Sequence, residues 1–161
     1  MKSCVRAAVL LVTAGIVAVL LASAASANRS GVTTLRLVEK DSSFHFVDNP
    51  PSAAKSGPSA GDVFVFTGEL LTRSGKHAGM LHATCTVTAG GKHPVSTCVG
   101  TFGLKGGQLQ AQTTITDGAK ADHIAIVGGT GVYVGVRGEV ISVSRGENSP
   151  FSDDTIRLLA A

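Results

Sequence analysis

The sequence predicts an all-β domain of short antiparallel strands, arranged as a barrel or a sandwich. Beyond residue 30, apolar and polar residues alternate over short segments, and no long segment has the 3.6-residue period of a helix. Clusters of Gly, Pro, Ser and Asp separate these segments, which is typical of tight turns between neighbouring strands. A chain of 161 residues suits one core of ordinary size, so we expect a single domain.

Eight segments carry the strand pattern. They are Thr33–Lys40, Val63–Thr72, Gly79–Thr88, Val95–Leu104, Gln108–Thr116, His123–Val127, Val136–Ser144 and Thr155–Leu159. Regular short strands with tight connections fit a barrel or sandwich better than a parallel α/β fold. Closure into a barrel would also remove the exposed edges through which such strands aggregate.

The N-terminal segment has the parts of a secretory signal peptide. A short head with Lys2 and Arg6 precedes the apolar run Ala7–Leu21 and a stretch of small residues. The apolar run is shorter than the roughly 18 to 20 residues of a membrane-spanning helix, which favours a cleaved signal over an anchor. We expect cleavage after Ala27, or alternatively after Ala24, and an extracellular protein with no membrane attachment after cleavage.

The mature part, residues 28–161, gives little support to nucleic-acid binding. The chain has 14 Lys and Arg against 11 Asp and Glu, and two of the basic residues belong to the signal, which leaves a net charge of +1. Nucleic-acid surfaces combine a basic stripe with stacking aromatic residues. This chain has no Trp, one Tyr and no cluster of basic residues, so we expect no nucleic-acid partner.

Two cysteines remain after signal cleavage, and the sequence pairs them. Cys85 and Cys98 lie on predicted strands that flank the turn Gly90–Pro94. A hairpin centred between Gly91 and Lys92 places them directly opposite each other on one face, so we expect a single disulfide in an oxidising compartment. The spacing is not CxxC and no base is near in the sequence, which argues against a redox pair.

A glycine run near the C-terminus raises the alternative of a nucleotide site. Gly128, Gly131 and Gly135 follow an apolar strand, but a dinucleotide site needs a helix to begin inside such a run. The segment Val132–Ser144 is rich in Val, Ile and Gly and predicts a strand instead. We therefore predict a glycine turn between two strands, with Thr130 bonding locally, and no nucleotide cofactor.

The glycine run between two strands resembles the closing motif of the allene oxide cyclase and dirigent barrels. That motif is Ala125–Tyr133 followed by Val136–Val140, and further pieces occur in family order: Gly61-Asp62, Phe66-Thr67, Leu70–Thr72, Ala78-Gly79, Phe102 and Gly107–Leu109. The resemblance covers about Leu35 to Ser144 and extends to secreted actinobacterial members of this group.

The resemblance implies an eight-stranded antiparallel up-and-down barrel of calycin type. Its lumen would hold one small apolar or phenolic molecule and fix its conformation while a reactive intermediate cyclises or couples. No cofactor is implied, and relatives form homo-oligomers, either dimers or trimers. The size of a small barrel suits this role, because eight strands leave space for side chains or for one modest ligand.

The resemblance also implies site residues on the first two strands. In the cyclases, a Glu on the first strand stabilises developing positive charge, and a Pro and an Asn help to hold a water. Glu39 occupies the Glu position, Asp41 replaces a neighbouring Asn, and Pro50 or Pro51 takes the Pro role. The water-holding Asn is replaced by Gly68, which argues against allene oxide cyclisation itself.

The dirigent motif GGTGxFxxARG occurs here with Tyr133 for Phe and Val136 for Ala, while Arg137 keeps the Arg. The cyclase and dirigent patterns together give two sets of candidate site residues. The catalytic candidates are Glu39 and Arg137, and the ligand-binding candidates are Asp41, Pro50, Thr67 and Glu69.

Strand alternation leaves the direction of the charged candidates open. Glu39 shares a face with Leu35 and Leu37, which favours an inward direction, but it is near the predicted strand end, which favours the rim. Glu69 lies on the face opposite the phenylalanines of its strand. Arg137 and Glu139 share a face, and we expect an ion pair between them at the surface or at the lumen mouth.

The five histidines show no metal-binding motif, and no GxSxG elbow indicates a hydrolase. Three functions therefore remain. A barrel that steers a reactive small molecule predicts an open cavity with charged residues in it, whereas a non-catalytic carrier predicts an open, uncharged lumen. A structural module predicts a lumen filled by Phe44, Phe64, Phe66 and Phe102.

Overall fold

The computed structural model describes residues 31–51 and 57–159. The strands are β1 Val32–Val47, β2 Val63–Thr72, β3 His77–Ala89, β4 Val95–Leu104, β5 Gly107–Thr116, β6 Asp122–Gly129, β7 Arg137–Ser144 and β8 Phe151–Leu159. Each strand pairs antiparallel with the next, and β8 pairs with β1, so the sheet closes into an eight-stranded barrel. The predicted barrel is confirmed and the sandwich alternative is wrong. The predicted signal peptide, residues 1–27, lies outside the described residues.

Several strands are longer than the sequence predicts, and the extension is greatest in β1 and β8. β1 continues to Val47, because a bulge between Asp41 and Ser43 lets it remain paired with β2. β8 begins at Phe151 because Phe151 pairs with β1, and the polar residues 152–154 pair with both β1 and β7. Residues that look like turn signals are therefore strand residues, and they bring additional carboxyl groups onto the sheet.

One end of the barrel is filled with apolar side chains. The core there is formed by Leu37, Leu70, Leu81, Phe102, Leu109, Ala111, Ile126, Val140, Ile156 and Leu158. Tyr133 and Val136, from the connection between β6 and β7, pack against this core. The glycine-rich connection therefore helps to close this end.

The glycine run is a turn between two strands, as predicted. It contains one 3₁₀ turn, Gly131–Tyr133, and the next strand begins at Arg137. Thr130 bonds locally through its backbone carbonyl, which accepts a hydrogen bond from Tyr133 N at 3.1 Å, whereas its Oγ1 accepts a hydrogen bond from Gln108 N on β5 at 3.1 Å. A side chain at Gly107 or Gly131 would collide with the backbone of the facing segment, so this close contact requires glycine.

The cysteines pair across β3 and β4 in the predicted register. Cys85 lies opposite Cys98, and the two form a disulfide with a Cα–Cα distance of 4.0 Å. Both side chains point inward and are buried. Within the described residues, no helix is both long enough and apolar enough to cross a membrane.

Candidate functional site

The other half of the barrel encloses a cavity of about 200 Å³. Its walls are mainly apolar, with polar groups on one side, and its lining includes Phe66, Leu81, Ala83, Cys98, Phe102, Ala111, Ile115, Ile124, Glu39, Asp41, Asp122, Ser142 and Ser152. A mainly apolar cavity with a few polar groups is the usual form of a small-molecule site. The lumen is therefore not filled by the phenylalanines, although Phe102 is fully buried.

The cavity opens into a wider mouth at the same end of the barrel. Phe66, Ile115 and Asp122 line both spaces. The first part of β2 and the last part of β1 extend along this mouth, and the ring of Phe64 lies 5.5 Å from that of Phe44 and 5.1 Å from that of Phe46. Phe44 is 66% exposed, so the mouth presents an aromatic surface to an entering molecule.

Glu39 is the charged candidate that the structure places inside the barrel. It is 9% exposed, it lines the cavity, and no hydrogen bond joins its side chain to another described residue. Burial, together with the nearby carboxylates of Asp154 and Asp41, raises the pKa of Glu39 to about 8. At neutral pH Glu39 is therefore mostly protonated and can donate a proton or a hydrogen bond to a molecule in the lumen.

Gly68 provides the space that Glu39 occupies. It lies on β2 opposite Asp41, and a Cβ atom at this position would lie 2.5 Å from Glu39 Oε1. The glycine that departs from the cyclase pattern is therefore part of the site, because it lets the Glu39 carboxyl lie flat against the neighbouring strand.

Asp154 is a second buried acid, one that sequence reasoning missed. It lies opposite Leu37 of β1 and is 2% exposed. Neither of its carboxyl oxygens meets hydrogen-bond geometry with a described residue. Burial raises its pKa to about 6, an effect that the nearby Ser142 hydroxyl opposes. The alternation of Ser152, Asp154, Ile156 and Leu158 on one face is the signal that could have found it.

Two further acids line the cavity towards its mouth. Asp41 and Asp122 both have their pKa raised by burial, and for Asp122 the nearby His123 opposes this rise. The lumen thus contains carboxyl groups in different environments. The pKa of Glu39 is raised to about 8, so its neutral form is strongly favoured over its ionised form. Pairs of acids with different pKa values can divide the roles of proton donor and proton acceptor.

The structure brings two of the predicted site residues to the cavity and leaves four outside it. Glu39 and Asp41 line the cavity. Thr67 and Glu69 lie on the outward face of β2, where Ser42 and Ser43 contact the Thr67 hydroxyl and the Glu69 carboxylate lies 3.1 Å from His77 Nδ1. Pro50 is exposed in the loop after β1.

Arg137 also lies on the outer surface. Its Nη1 donates a 3.4 Å hydrogen bond to the Val127 carbonyl oxygen. The expected Arg137–Glu139 ion pair is not formed, because Glu139 pairs at 2.7 Å with His123 on the neighbouring strand β6. Cross-strand neighbours approach more closely than residues two apart on one strand.

Comparisons with known proteins agree with this architecture. Residues 29–148 match the family model described as the allene oxide cyclase barrel-like domain. A pyocyanin demethylase is similar in structure, with 26% sequence identity and a TM-score of 0.68, and the match covers 78% of this chain and 99% of that chain. No curated protein has a significantly similar sequence.

Two further solved structures share the fold at lower identity. A pterocarpan synthase dirigent protein is 19% identical, with a TM-score of 0.68, and the match covers 82% of this chain and 97% of that chain. The Diels-Alderase AbmU from Streptomyces koyangensis is 16% identical, with a TM-score of 0.62 and coverage of 88% and 74%. At these identities the likeness concerns the barrel alone.

Proposed function

The chain belongs to the allene oxide cyclase barrel-like family, and we propose that its lumen binds a small apolar or phenolic molecule and steers that molecule's cyclisation or coupling. The observation that carries this proposal is the unpaired carboxyl group of Glu39, buried in an otherwise mainly apolar cavity. The similarity to a pyocyanin demethylase, named for a reaction on a small molecule, supports a small-molecule role.

The proposed steering has two physical parts. Apolar walls such as Phe66 and Phe102 restrict the ligand to few conformations, so that one cyclised or coupled product is favoured over the mixture formed in solution. The neutral Glu39 carboxyl hydrogen-bonds a carbonyl or phenolic oxygen and supplies a proton where negative charge develops. Glu39 and Asp41 line the cavity and would contact the ligand directly. Arg137 lies on the outer surface and would not contact it.

The alternative function is that of a non-catalytic carrier. A carrier of an apolar ligand is served best by an uncharged lumen, because a buried carboxyl group costs free energy unless it has a partner. Asp154 is buried and neither of its oxygens meets hydrogen-bond geometry with a described residue, and Glu39 is buried with no hydrogen bond to a described residue. This cost favours a chemical role over simple transport.

Ligand binding is tested with a neutral fluorescent probe, N-phenylnaphthylamine, whose emission rises in an apolar environment. We expect saturable binding to the wild type and loss of binding in Ala83→Phe, because Ala83 lines the cavity and the larger ring fills it. The matched control is Thr84→Phe, which adds the same ring to the exposed outer face. Equal binding by both variants would contradict a lumenal site.

Steering is tested by the products of an oxidised phenol. A phenol treated with a one-electron oxidant couples to a racemic mixture in solution, so chiral chromatography measures any control that the protein exerts. We expect an enantiomeric excess with the wild type and a racemic product with Ala83→Phe. A racemic product with a wild type that binds the phenol would favour the carrier function.

Secretion and assembly complete the proposal. We propose that the chain is exported and cleaved after Ala27 or Ala24, and that the mature protein is extracellular and forms a dimer or trimer. The intact mass of protein from the culture medium distinguishes the two cleavage sites, and retention in the cell would contradict export. Sedimentation equilibrium measures the oligomeric state, and a monomer would contradict assembly.

A further inference from the structure

The acids on the strands of this barrel fall into two groups that differ in their partners. Three outward-facing acids each pair with a base of the same chain: Glu69 with His77, Glu139 with His123 and Asp153 with Arg145. The acids that face the lumen have no such partner. Among the described residues that line the cavity there is no Lys, Arg or His.

Glu39 shows this lack of a partner most clearly. It is nine-tenths buried, with 9% of its surface exposed, and its carboxyl group lines an open cavity without a hydrogen-bond partner among the described residues. Asp154 beside it is 2% exposed, and neither of its oxygens meets hydrogen-bond geometry with a described residue, although the Ser142 hydroxyl lies near it. Proteins rarely bury unpaired carboxyl groups, because the desolvation cost is not repaid.

We propose that the missing partner is the ligand, and that the lumen selects an apolar molecule bearing a positive charge or a protonatable nitrogen and excludes a carboxylate. This inference rests on the proposed function, since it assigns the chemical class of the molecule that the lumen binds. A cation at the inner end of the cavity would favour the ionised form of these acids and pair with it, whereas an anion there would hold them in the neutral form and be repelled by any acid that is ionised.

The size and walls of the cavity define the rest of the ligand. An apolar cavity of 150 Å³ holds benzene, so a volume of about 200 Å³ holds one or two fused rings. A larger molecule would extend past Phe64 and Phe44 into the mouth. The mouth carries charges of both signs, with Lys92 and Lys120 near Asp117 and Glu147, so it does not reverse the preference of the lumen.

The preference depends on pH in a defined direction. Glu39 faces Asp41 on its own strand and Asp154 on β8, Gly68 contributes no charge from β2, and Asp122 lines the same cavity from β6. The pKa values of these acids are all raised by burial. Glu39, with its pKa raised to about 8, therefore gains negative charge as the pH rises above neutrality, and the preference for a cation increases with it.

Three probes that share one frame test this inference. Naphthylmethylamine is cationic, naphthalenemethanol is neutral and naphthoate is anionic, and calorimetry measures the affinity of each for the full mature chain. We expect the amine to bind at least about tenfold more tightly than the carboxylate at neutral pH, with the alcohol between them. The ratio should be greater at pH 8 than at pH 6.

Variants connect the selectivity to the lumen. In Glu39→Gln, and further in Glu39→Gln/Asp154→Asn, the ratio of amine to carboxylate affinity should fall to within about threefold. The control Glu139→Gln makes the same change on the outer surface and should retain the full ratio. Thermal melting monitored by circular dichroism tests whether each variant is folded. If the double variant does not fold, the single variant Glu39→Gln is sufficient for the test.

The outcomes separate the inference from the function on which it rests. If the alcohol binds and the carboxylate binds as tightly as the amine, the charge preference is overturned while lumenal binding stands. An unchanged ratio in folded Glu39→Gln also overturns it. If none of the three probes binds, the proposed function fails and the inference fails with it.

Discussion

The carboxyl group of Glu39 lies directly against Gly68 of the neighbouring strand. A Cβ atom at position 68 would come within 2.5 Å of Glu39 Oε1 and 2.7 Å of its Cγ. The absence of a side chain at Gly68 of β2 therefore allows the ionisable side chain of Glu39 on β1 to occupy the lumen. The two residues act as one unit, and the cavity depends on both.

Gly68→Ala should displace Glu39 and weaken ligand binding. The added methyl group cannot share the space of the Glu39 side chain, so the carboxyl would move into the cavity. We expect the affinity for N-phenylnaphthylamine to fall by about three- to tenfold. The control is Gly128→Ala on β6, where an added Cβ meets no atom within 4 Å. An unchanged affinity in folded Gly68→Ala would disprove this coupling.

Glu39→Gln should stabilise the fold at alkaline pH and have little effect at acid pH. The pKa of Glu39 rises from its ordinary value of 4.5 to about 8 in the folded protein, so the folded state binds more protons between these values. Stability therefore falls as the pH rises through this interval. Gln has no charge to bury, so the variant should avoid that loss.

Thermal melting at pH 5 and pH 9 measures this difference. We expect Tm of Glu39→Gln to exceed that of the wild type by several degrees at pH 9 and to match it closely at pH 5. Glu139→Gln, on the outer surface, should show no comparable change with pH. A Tm difference that stays constant between the two pH values would show that Glu39 titrates normally.

Removal of the disulfide should lower stability without abolishing the barrel. Cys85 and Cys98 are 13 residues apart and join strands that are already neighbours. We expect Cys85→Ala/Cys98→Ala to lower the free energy of unfolding by about 2 kcal/mol, near the low end for such loops. Urea titration of the variant, and of the wild type with and without reductant, measures this. Identical midpoints for oxidised and reduced wild type would contradict it.

Asp62→Asn should loosen the loop that joins β1 to β2. The Asp62 carboxylate accepts hydrogen bonds from the backbone N–H groups of Asn49 at 2.9 Å and Ser59 at 2.7 Å, and these bonds lower its pKa. Because the pKa of Asp62 is lower in the folded protein than its ordinary value of 3.8, the ionised carboxylate stabilises the fold when the pH is above 3.8. This stabilisation is lost as the pH falls below that value.

The Tm deficit of Asp62→Asn should therefore be full at pH 7 and shrink only below about pH 4. Asp117→Asn, at an exposed turn, is the control and should change Tm little at either pH. A deficit that is equally large at pH 2 and pH 7 would mean that the charge of Asp62 does not stabilise the loop.

The sequence predicts the strands and the disulfide because their signals are local. Turn residues mark the strand ends, and the hairpin register alone places Cys85 opposite Cys98. The family resemblance adds closure into a barrel, which no short-range pattern contains. β8 is predicted too short because Asp153 and Asp154 resemble turn residues, although in the barrel they pair on both sides.

The site is harder to predict because it depends on which face of each strand points inward. Strand alternation puts Glu69 on one face of β2 and the phenylalanines of β2 on the other. Only the closed barrel shows that the face with the phenylalanines points inward. Glu39 could lie at the rim or in the lumen, and the extension of β1 past Asp41 decides this. The unpaired state of Asp154 arises from three strands that are distant in sequence.

The most direct test of the account is where a small apolar molecule binds. Methyl NMR with ¹³C-labelled alanine observes Ala83 and Ala111, which line the cavity, together with Ala89 and Ala125, which are exposed. Titration with N-phenylnaphthylamine should shift the Ala83 and Ala111 methyl signals saturably and leave those of Ala89 and Ala125 unchanged. Shifts confined to the exposed alanines, or no shifts at all, would contradict a ligand-binding lumen.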